Sequence, residues 1–218
     1  MAWVMLTVHA FWKWFCEHRT IYCELQYRSG VDSAFYYDEL SERLAVFGPT
    51  LSFVICSGAA NERSKLVLTT NGKPEGVLLV QNLVDLAPDI PGWEVVAFIQ
   101  PCLDLNLVRK RKDPPYHFQE LSIKVSDIVW IPGDYNYETG KQDLIFGFIN
   151  LASDIERLPY HLLDDYVSAI VLDLLGELLV CKTFGEVYYS FIKADYDTWF
   201  KIDFLPVYLK GELLGDEG

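Results

Sequence analysis

Positive charge is scarce in this chain. Eighteen Lys and Arg stand against 31 Asp and Glu, which leaves a net charge of −13 over 218 residues. Phosphate backbones bind proteins through Lys and Arg, and anionic lipid headgroups attract the same residues. The deficit therefore leads us to expect neither a nucleic-acid partner nor a membrane partner. A basic protein partner suits it, because long-range attraction speeds such an encounter. The deficit is uneven: residues 1–109 carry 8 basic and 12 acidic side chains, and residues 110–218 carry 10 and 19.

Cysteine is also sparse and irregular. Cys16, Cys23, Cys56, Cys102 and Cys181 make an odd count without a C-x-x-C pair. That pattern fits neither a disulfide framework nor a zinc knuckle nor a thioredoxin-type redox pair. It suits a reducing compartment, so a cytoplasmic location is expected. Cys56 and Cys181 lie in apolar runs and read as small core residues. Long hydrophobic runs are absent as well. The apolar stretch from Met1 to Trp12 ends at Lys13, lacks a basic leading segment, and is too short for a bilayer span. The phosphate-cradling patterns G-x-x-x-x-G-K-[ST] and G-x-G-x-x-G do not occur, nor does the nucleophile elbow G-x-S-x-G. No cofactor is expected. No metal site is expected either, since Cys16, His18 and Cys23 match no common zinc spacing.

What the chain does have is core material. Just over half of its residues are hydrophobic, among them six Trp, thirteen Tyr and thirteen Phe, enough to fill a sizeable interior and to exclude disorder. Val8, Phe11, Trp12, Phe15, Tyr22 and Leu25 recur at helical spacing. A second helix, capped by Asp32 or Ser33, should run to about Phe47 before Gly48-Pro49. Together these form an N-terminal helical hairpin. The period then changes. Strands are expected over Leu51–Cys56 and Lys65–Thr70, a turn at Asn71-Gly72, a helix opened by Pro74 and stopped by Pro88, and a strand from Trp93 to Gln100.

Residues 101–119 hold three prolines and the basic run Arg109-Lys110-Arg111-Lys112, and read as an internal linker or long solvated loop. Strand candidates follow over Glu120–Trp130, broken near Ser126, and over Asp143–Asn150. A polar loop over Pro132–Lys141 lies between them. A long helix is expected over Pro159–Val180, then a strand over Val187–Ile192 and a weaker one near Ile202–Leu209. The order strand–strand–helix–strand thus occurs twice. The expected class is α+β, with a helical hairpin followed by two such half-units and largely antiparallel sheet. We read residues 1–218 as a single domain, divisible into half-units 1–105 and 116–218.

Three segments carry a family resemblance. They are Asn71-Gly72-Lys73-Pro74-Glu75, Ala87-Pro88-Asp89-Ile90-Pro91-Gly92-Trp93, and Leu172-Asp173-Leu174-Leu175-Gly176-Glu177. With Phe11-Trp12-Lys13-Trp14-Phe15, they resemble a group of uncharacterised bacterial proteins. The resemblance implies a bacterial cytoplasmic protein and assigns no residue a role.

Candidate site residues come from local chemistry. On a continuous helix, Asp173 and Glu177 would share a face at i, i+4, where like charges repel and burial raises a carboxyl pKa. Such a pair could serve as a general acid and base in a small carboxylate-based hydrolase, with His161 nearby. The simpler reading pairs each carboxylate with a neighbour. Asn71 and Lys73 sit where a turn meets a helix start, a place that suits either an anion or plain turn chemistry. Tyr135 and Tyr137 stand among small polar residues, a composition of recognition surfaces that also suits a hairpin connection. The favoured reading is a non-catalytic, acidic protein-binding protein of adaptor, inhibitor or immunity-like type. The hydrolase is the alternative. Self-association through the aromatic first helix, giving a homodimer, is a third possibility.

Overall fold

The computed structural model describes residues 2–25, 31–56, 58, 62–118, 121–149, 158–190 and 198–211. Among these it has seven helices and nine strands in an α+β arrangement. The chain divides into two compact units, Met1–Ile99 and Gln100–Gly218.

The first unit opens with the helical pair α1 (Ala2–Glu24) and α2 (Val31–Ala45). The second helix starts at Val31, so Asp32 and Ser33 lie inside it and not at the expected capping position. The aromatic stripe of α1 is core: Phe11, Trp12, Trp14, Phe15 and Tyr22 are all buried. Trp12 Nε1 donates to Leu83 O at 3.0 Å, and Phe15 meets Trp93 edge-on at 5.2 Å. The strands β1 (Ser52–Cys56), β2 (Ser64–Thr69) and β3 (Trp93–Ala97) form a sheet in the order β1-β2-β3. The β1–β2 pair is antiparallel and β2–β3 is parallel. A parallel neighbour needs a crossover, which α3 (Val77–Asp85) provides. Cys56 is exposed, contrary to its apolar sequence setting, while Cys181 is buried as expected.

In the second unit the expected linker has structure of its own. It contains α4 (Leu105–Arg109), capped by the Asp104 side chain, and β4 (Tyr116–His117), which pairs with β5 (Ser122–Ile123). The basic run is tied down at two points: Arg109 pairs with Asp203 at 3.0 Å, and Arg111 pairs with Asp127. The main sheet has the order β8-β7-β6-β9, from β6 (Ile128–Asn136), β7 (Lys141–Phe148), β8 (Phe184–Ser190) and β9 (Phe200–Lys201). Here too the hairpin β6–β7 is antiparallel and the crossover pair β7–β8 is parallel. The twofold order of elements in the sequence is thus a twofold topology.

Three expectations about the second unit are corrected. The segment Pro132–Lys141 is largely strand, because β6 extends to Asn136. The long helix is two helices, α5 (Tyr160–Leu175) and α6 (Glu177–Thr183), broken at Gly176 with φ 76° and ψ 149°. On α5, Leu163, Val167, Ile170, Val171 and Leu174 form one buried stripe in a core with Trp130, Leu144, Phe146 and Phe148. The weak strand expected near Ile202–Leu209 is instead a 3-10 turn, Ile202–Phe204, leading into α7 (Leu205–Leu209). Pro206 is accommodated there because the first turn of a helix does not need its N–H. Among the described residues no helix is long and apolar enough to cross a membrane.

Candidate binding site at the β6–β7 hairpin

Two irregularities at one strand position shape the open end of the sheet. On the β6 side the register passes from Pro132↔Leu144 to Tyr135↔Gln142, so Gly133 and Asp134 face the single residue Asp143. On the β8 side it passes from Gln142↔Phe184 to Leu144↔Val187, so Gly185 and Glu186 also face Asp143. Bulges of this kind bend and twist a strand and leave backbone groups unpaired. Side chains satisfy those groups here. The buried Gln142 amide lies within hydrogen-bonding distance of Gly133 O and Asp143 O, 3.0 Å each, and of Asp134 O at 3.2 Å. Asp143 Oδ1 accepts the Glu186 N–H at 2.7 Å. Gly185 leaves room for that carboxylate, since a Cβ there would collide with Oδ1.

Beyond the bulges, the hairpin closes through a four-residue turn. Gly140 N–H donates to Asn136 O at 2.8 Å, and Gly140 has φ 69°, a conformation glycine adopts at no steric cost. Asn136 Oδ1 accepts the N–H groups of Glu138 and Thr139 at 2.9 and 3.0 Å, the side-chain turn expected of Asn. This locked turn displays two tyrosines. Tyr137 is 90% exposed and Tyr135 is 47% exposed, and their rings meet edge-on at 5.0 Å.

Tyr135 is a wall of two clefts. One, of about 520 Å³, is lined by the acids Asp134, Asp143 and Glu186, by Lys141, and by Tyr135 and Phe184 among others. Three carboxylates against one ammonium make it a cation-attracting concavity. The other, of about 720 Å³, is lined chiefly by Tyr135, Phe200, Phe204 and Tyr208, with Gln142 and Thr183. No charged side chain lines it among the described residues. Phe200 stacks on Phe204 at 5.7 Å, and Trp130 backs Phe200 and Tyr208 at 5.2 and 4.9 Å. Its polar groups already have partners: Tyr208 OH donates to Gln142 Oε1 at 3.1 Å, and Thr183 Oγ1 donates to Leu179 O at 2.7 Å.

A third cleft, of about 200 Å³, is lined by Leu103, Leu107, Val108, Asp113, Pro114 and Tyr116, among others. Asp113 is buried, and its Oδ2 accepts the Ser126 N–H at 3.1 Å. Tyr116 OH donates to Asp173 Oδ2 at 2.6 Å. Burial, reinforced by this hydrogen bond, pushes the Tyr116 hydroxyl well above the usual tyrosine range. The thiol of Cys102 is pushed up by its own partial burial and then by Asp173. The Cys102 and Leu103 N–H groups also donate to Asp173 O at 2.8 and 3.2 Å. Asp173 therefore acts as a latch that holds the 102–116 segment against α5.

The residues singled out in sequence fall in three places. Asp173 is the Tyr116 partner near the end of α5. Glu177 is fully buried at the start of α6, past the break at Gly176. The continuous helix that would have aligned the two carboxylates is absent. His161 is exposed in the first turn of α5. None of these three lines any of the clefts described above. In the first unit, Asn71 has φ 53° and its N–H donates to Thr69 Oγ1 at 2.9 Å, while Lys73 is exposed just before Pro74. Both serve the turn that starts the next helical segment. Among these candidates only Tyr135 lines the described clefts, and Tyr137 meets its ring at the exposed tip of the hairpin. Phe204 and Tyr208 fall in the stretch that reads in sequence as a weak strand, Phe200 lies just before it, and none of the three carries a local signal of a site. Asp143 and Glu186 carried no local signal beyond the adjacent glycine of Gly185. Among the described residues no group of three or more His, Cys, Asp or Glu is placed to hold a metal ion.

Comparisons with protein-family models, curated proteins and solved structures give no significant match.

Proposed function

We propose that this chain is an acidic binding protein that captures a basic protein partner through the tip of the β6–β7 hairpin. The observation that carries this reading is the 90% exposed Tyr137, paired with Tyr135 on a side-chain-locked turn beside the acid-lined cleft. Aromatic side chains held rigidly at a surface are the usual anchors of interfaces, because little conformational entropy is lost when they bind. The carboxylates beside them, and the net charge of −13, supply the attraction that orients a basic partner. A carboxylate-based reaction has less support, since Asp173 bonds to Tyr116 and Glu177 begins a different helix.

The test is affinity capture from a bacterial lysate at about 50 mM and about 500 mM salt, conditions that span strong and weak screening. Bait proteins are the wild type and the double variant Tyr135→Ala, Tyr137→Ala. A basic protein held in stoichiometric amount at low salt, released at high salt and lost by the double variant, is the expected result. Loss of an anchoring tyrosine should weaken binding by roughly 30-fold. Equal retention by both baits removes the hairpin from the function.

A further inference from the structure

The aromatic cleft of about 720 Å³ extends to Gly211, which is one of its lining residues. Gly211 also terminates α7. Its φ is 71°, and its N–H donates to Tyr208 O at 3.1 Å. A left-handed glycine with this hydrogen bond is a helix ending that brings the residues just beyond it back against the last turn. Here that turn carries Tyr208 and Leu209, and both line the cleft. The conformation of Gly211 thus aims the chain at the cleft that Gly211 borders.

The sequence that follows is Glu212-Leu213-Leu214-Gly215-Asp216-Glu217-Gly218. Its two apolar residues stand near the cleft's edge, and a polar, acidic stretch comes after them. Leu213 and Leu214 are two and three residues past Gly211, a reach of at most about 7 and 11 Å. Inside the cleft, the Gln142, Tyr208 and Thr183 groups already make hydrogen bonds within the protein. No charged side chain lines it among the described residues. What remains on offer is apolar and aromatic surface, which suits leucine side chains and not carboxylates. Lys210, between the lining residues Leu209 and Gly211, is exposed and has no ion-pair partner among the described residues. It complements the acids that flank the leucine pair. An outside apolar ligand must also compete with residues tethered at the edge, whose effective concentration is of millimolar order.

We infer that Leu213 and Leu214 fold back into the aromatic cleft as an intramolecular strap. The cleft is then closed to any outside apolar group until the strap leaves, and Tyr135 forms one wall of the strapped site.

The experiment uses the full chain and the double variant Leu213→Ser, Leu214→Ser. The probe is 8-anilinonaphthalene-1-sulfonate, a dye that brightens on exposed apolar surface. Wild type should bind little dye, and the double variant should bind several-fold more. Adding Phe200→Ala, which removes a ring of the cleft wall that is 45% exposed, should take that gain away. Far-UV circular dichroism verifies that each variant is folded. A double-mutant cycle on the urea midpoint supplies a second readout. The leucine and Phe200 substitutions should lower the midpoint together by less than the sum of their separate effects. Equal dye binding by wild type and the double variant, with midpoint losses that simply add, would place the leucines elsewhere and sink the inference. A wild-type dimer in sedimentation that becomes monomeric on loss of the leucines would assign the strap to a neighbouring copy and overturn its intramolecular form.

Discussion

Asp173 illustrates how a residue's role depends on what reaches it from elsewhere in the chain. By spacing, it pairs with Glu177. In the fold its side chain accepts from Tyr116, 57 positions earlier, and its backbone oxygen accepts from Cys102 and Leu103. That spacing aligns the two carboxylates only on a continuous helix, and Gly176 interrupts the helix between them. The local consequence can be measured at the exposed Cys102, whose thiol is pushed above its ordinary value first by partial desolvation and then by the Asp173 carboxylate. Asp173→Asn removes the charge and keeps an acceptor for Tyr116. Cys102 should then be alkylated by iodoacetamide several-fold faster near pH 8, because more of it is thiolate. Mass spectrometry of the modified peptide reads the rate. An unchanged rate would mean that burial alone sets the thiol. Tyr135 and Tyr137 are the opposite case. Their polar neighbours marked them in sequence, since a turn rich in Asn, Thr and Gly has little else to bury.

At the scale of elements, periodicity carried far. The order strand–strand–helix–strand was readable twice, and the hairpin-then-crossover topology follows it in both units. Helix continuity and bulge positions were not readable. Gly176 lies within an apolar run whose hydrophobic period continues on both sides, so the pattern alone runs through it. Its φ of 76° and ψ of 149° belong to a region that only glycine occupies without strain. Gly176→Ala should therefore destabilise the protein by about 1–3 kcal/mol, seen as a lower urea midpoint with unchanged slope. A midpoint equal to wild type would show that α5 and α6 can merge into one helix without cost. The two bulges at Asp143 were invisible for a different reason. A bulge is a relation between strands, and the glycines that permit it, Gly133 and Gly185, lie about fifty residues apart.

Across the whole molecule, one buried and two half-buried tyrosines couple stability to alkaline pH. Tyr22, Tyr116 and Tyr189 are pushed well above the ordinary tyrosine value of 10.0, in each case first by burial. Asp173 adds to the effect at Tyr116 and Asp164 adds to it at Tyr189. The folded state then keeps protons that the unfolded chain releases. Their contribution is complete below about pH 10 and declines as pH rises above it. The urea midpoint should hold between about pH 8 and 9 and fall steadily past about pH 10. Tyr189→Phe, which loses both the titrating group and the hydrogen bond to Asp164 at 2.8 Å, should be less stable at neutral pH and show a shallower alkaline decline. An identical slope would indicate that Tyr189 ionises freely in the folded protein.

The sequence by itself determined the α+β class, the helical N-terminus, the doubled order of elements and the acidic balance, because each is set by composition or by a period of two to four residues. Only the tertiary structure decided where chemistry could gather. The sheet order places Phe200 beside Trp130, 70 positions earlier, and the bulges bring Asp134 and Glu186 to either side of Asp143. Clefts are made of side chains that neighbour one another in space and not along the chain, and no local period records that proximity.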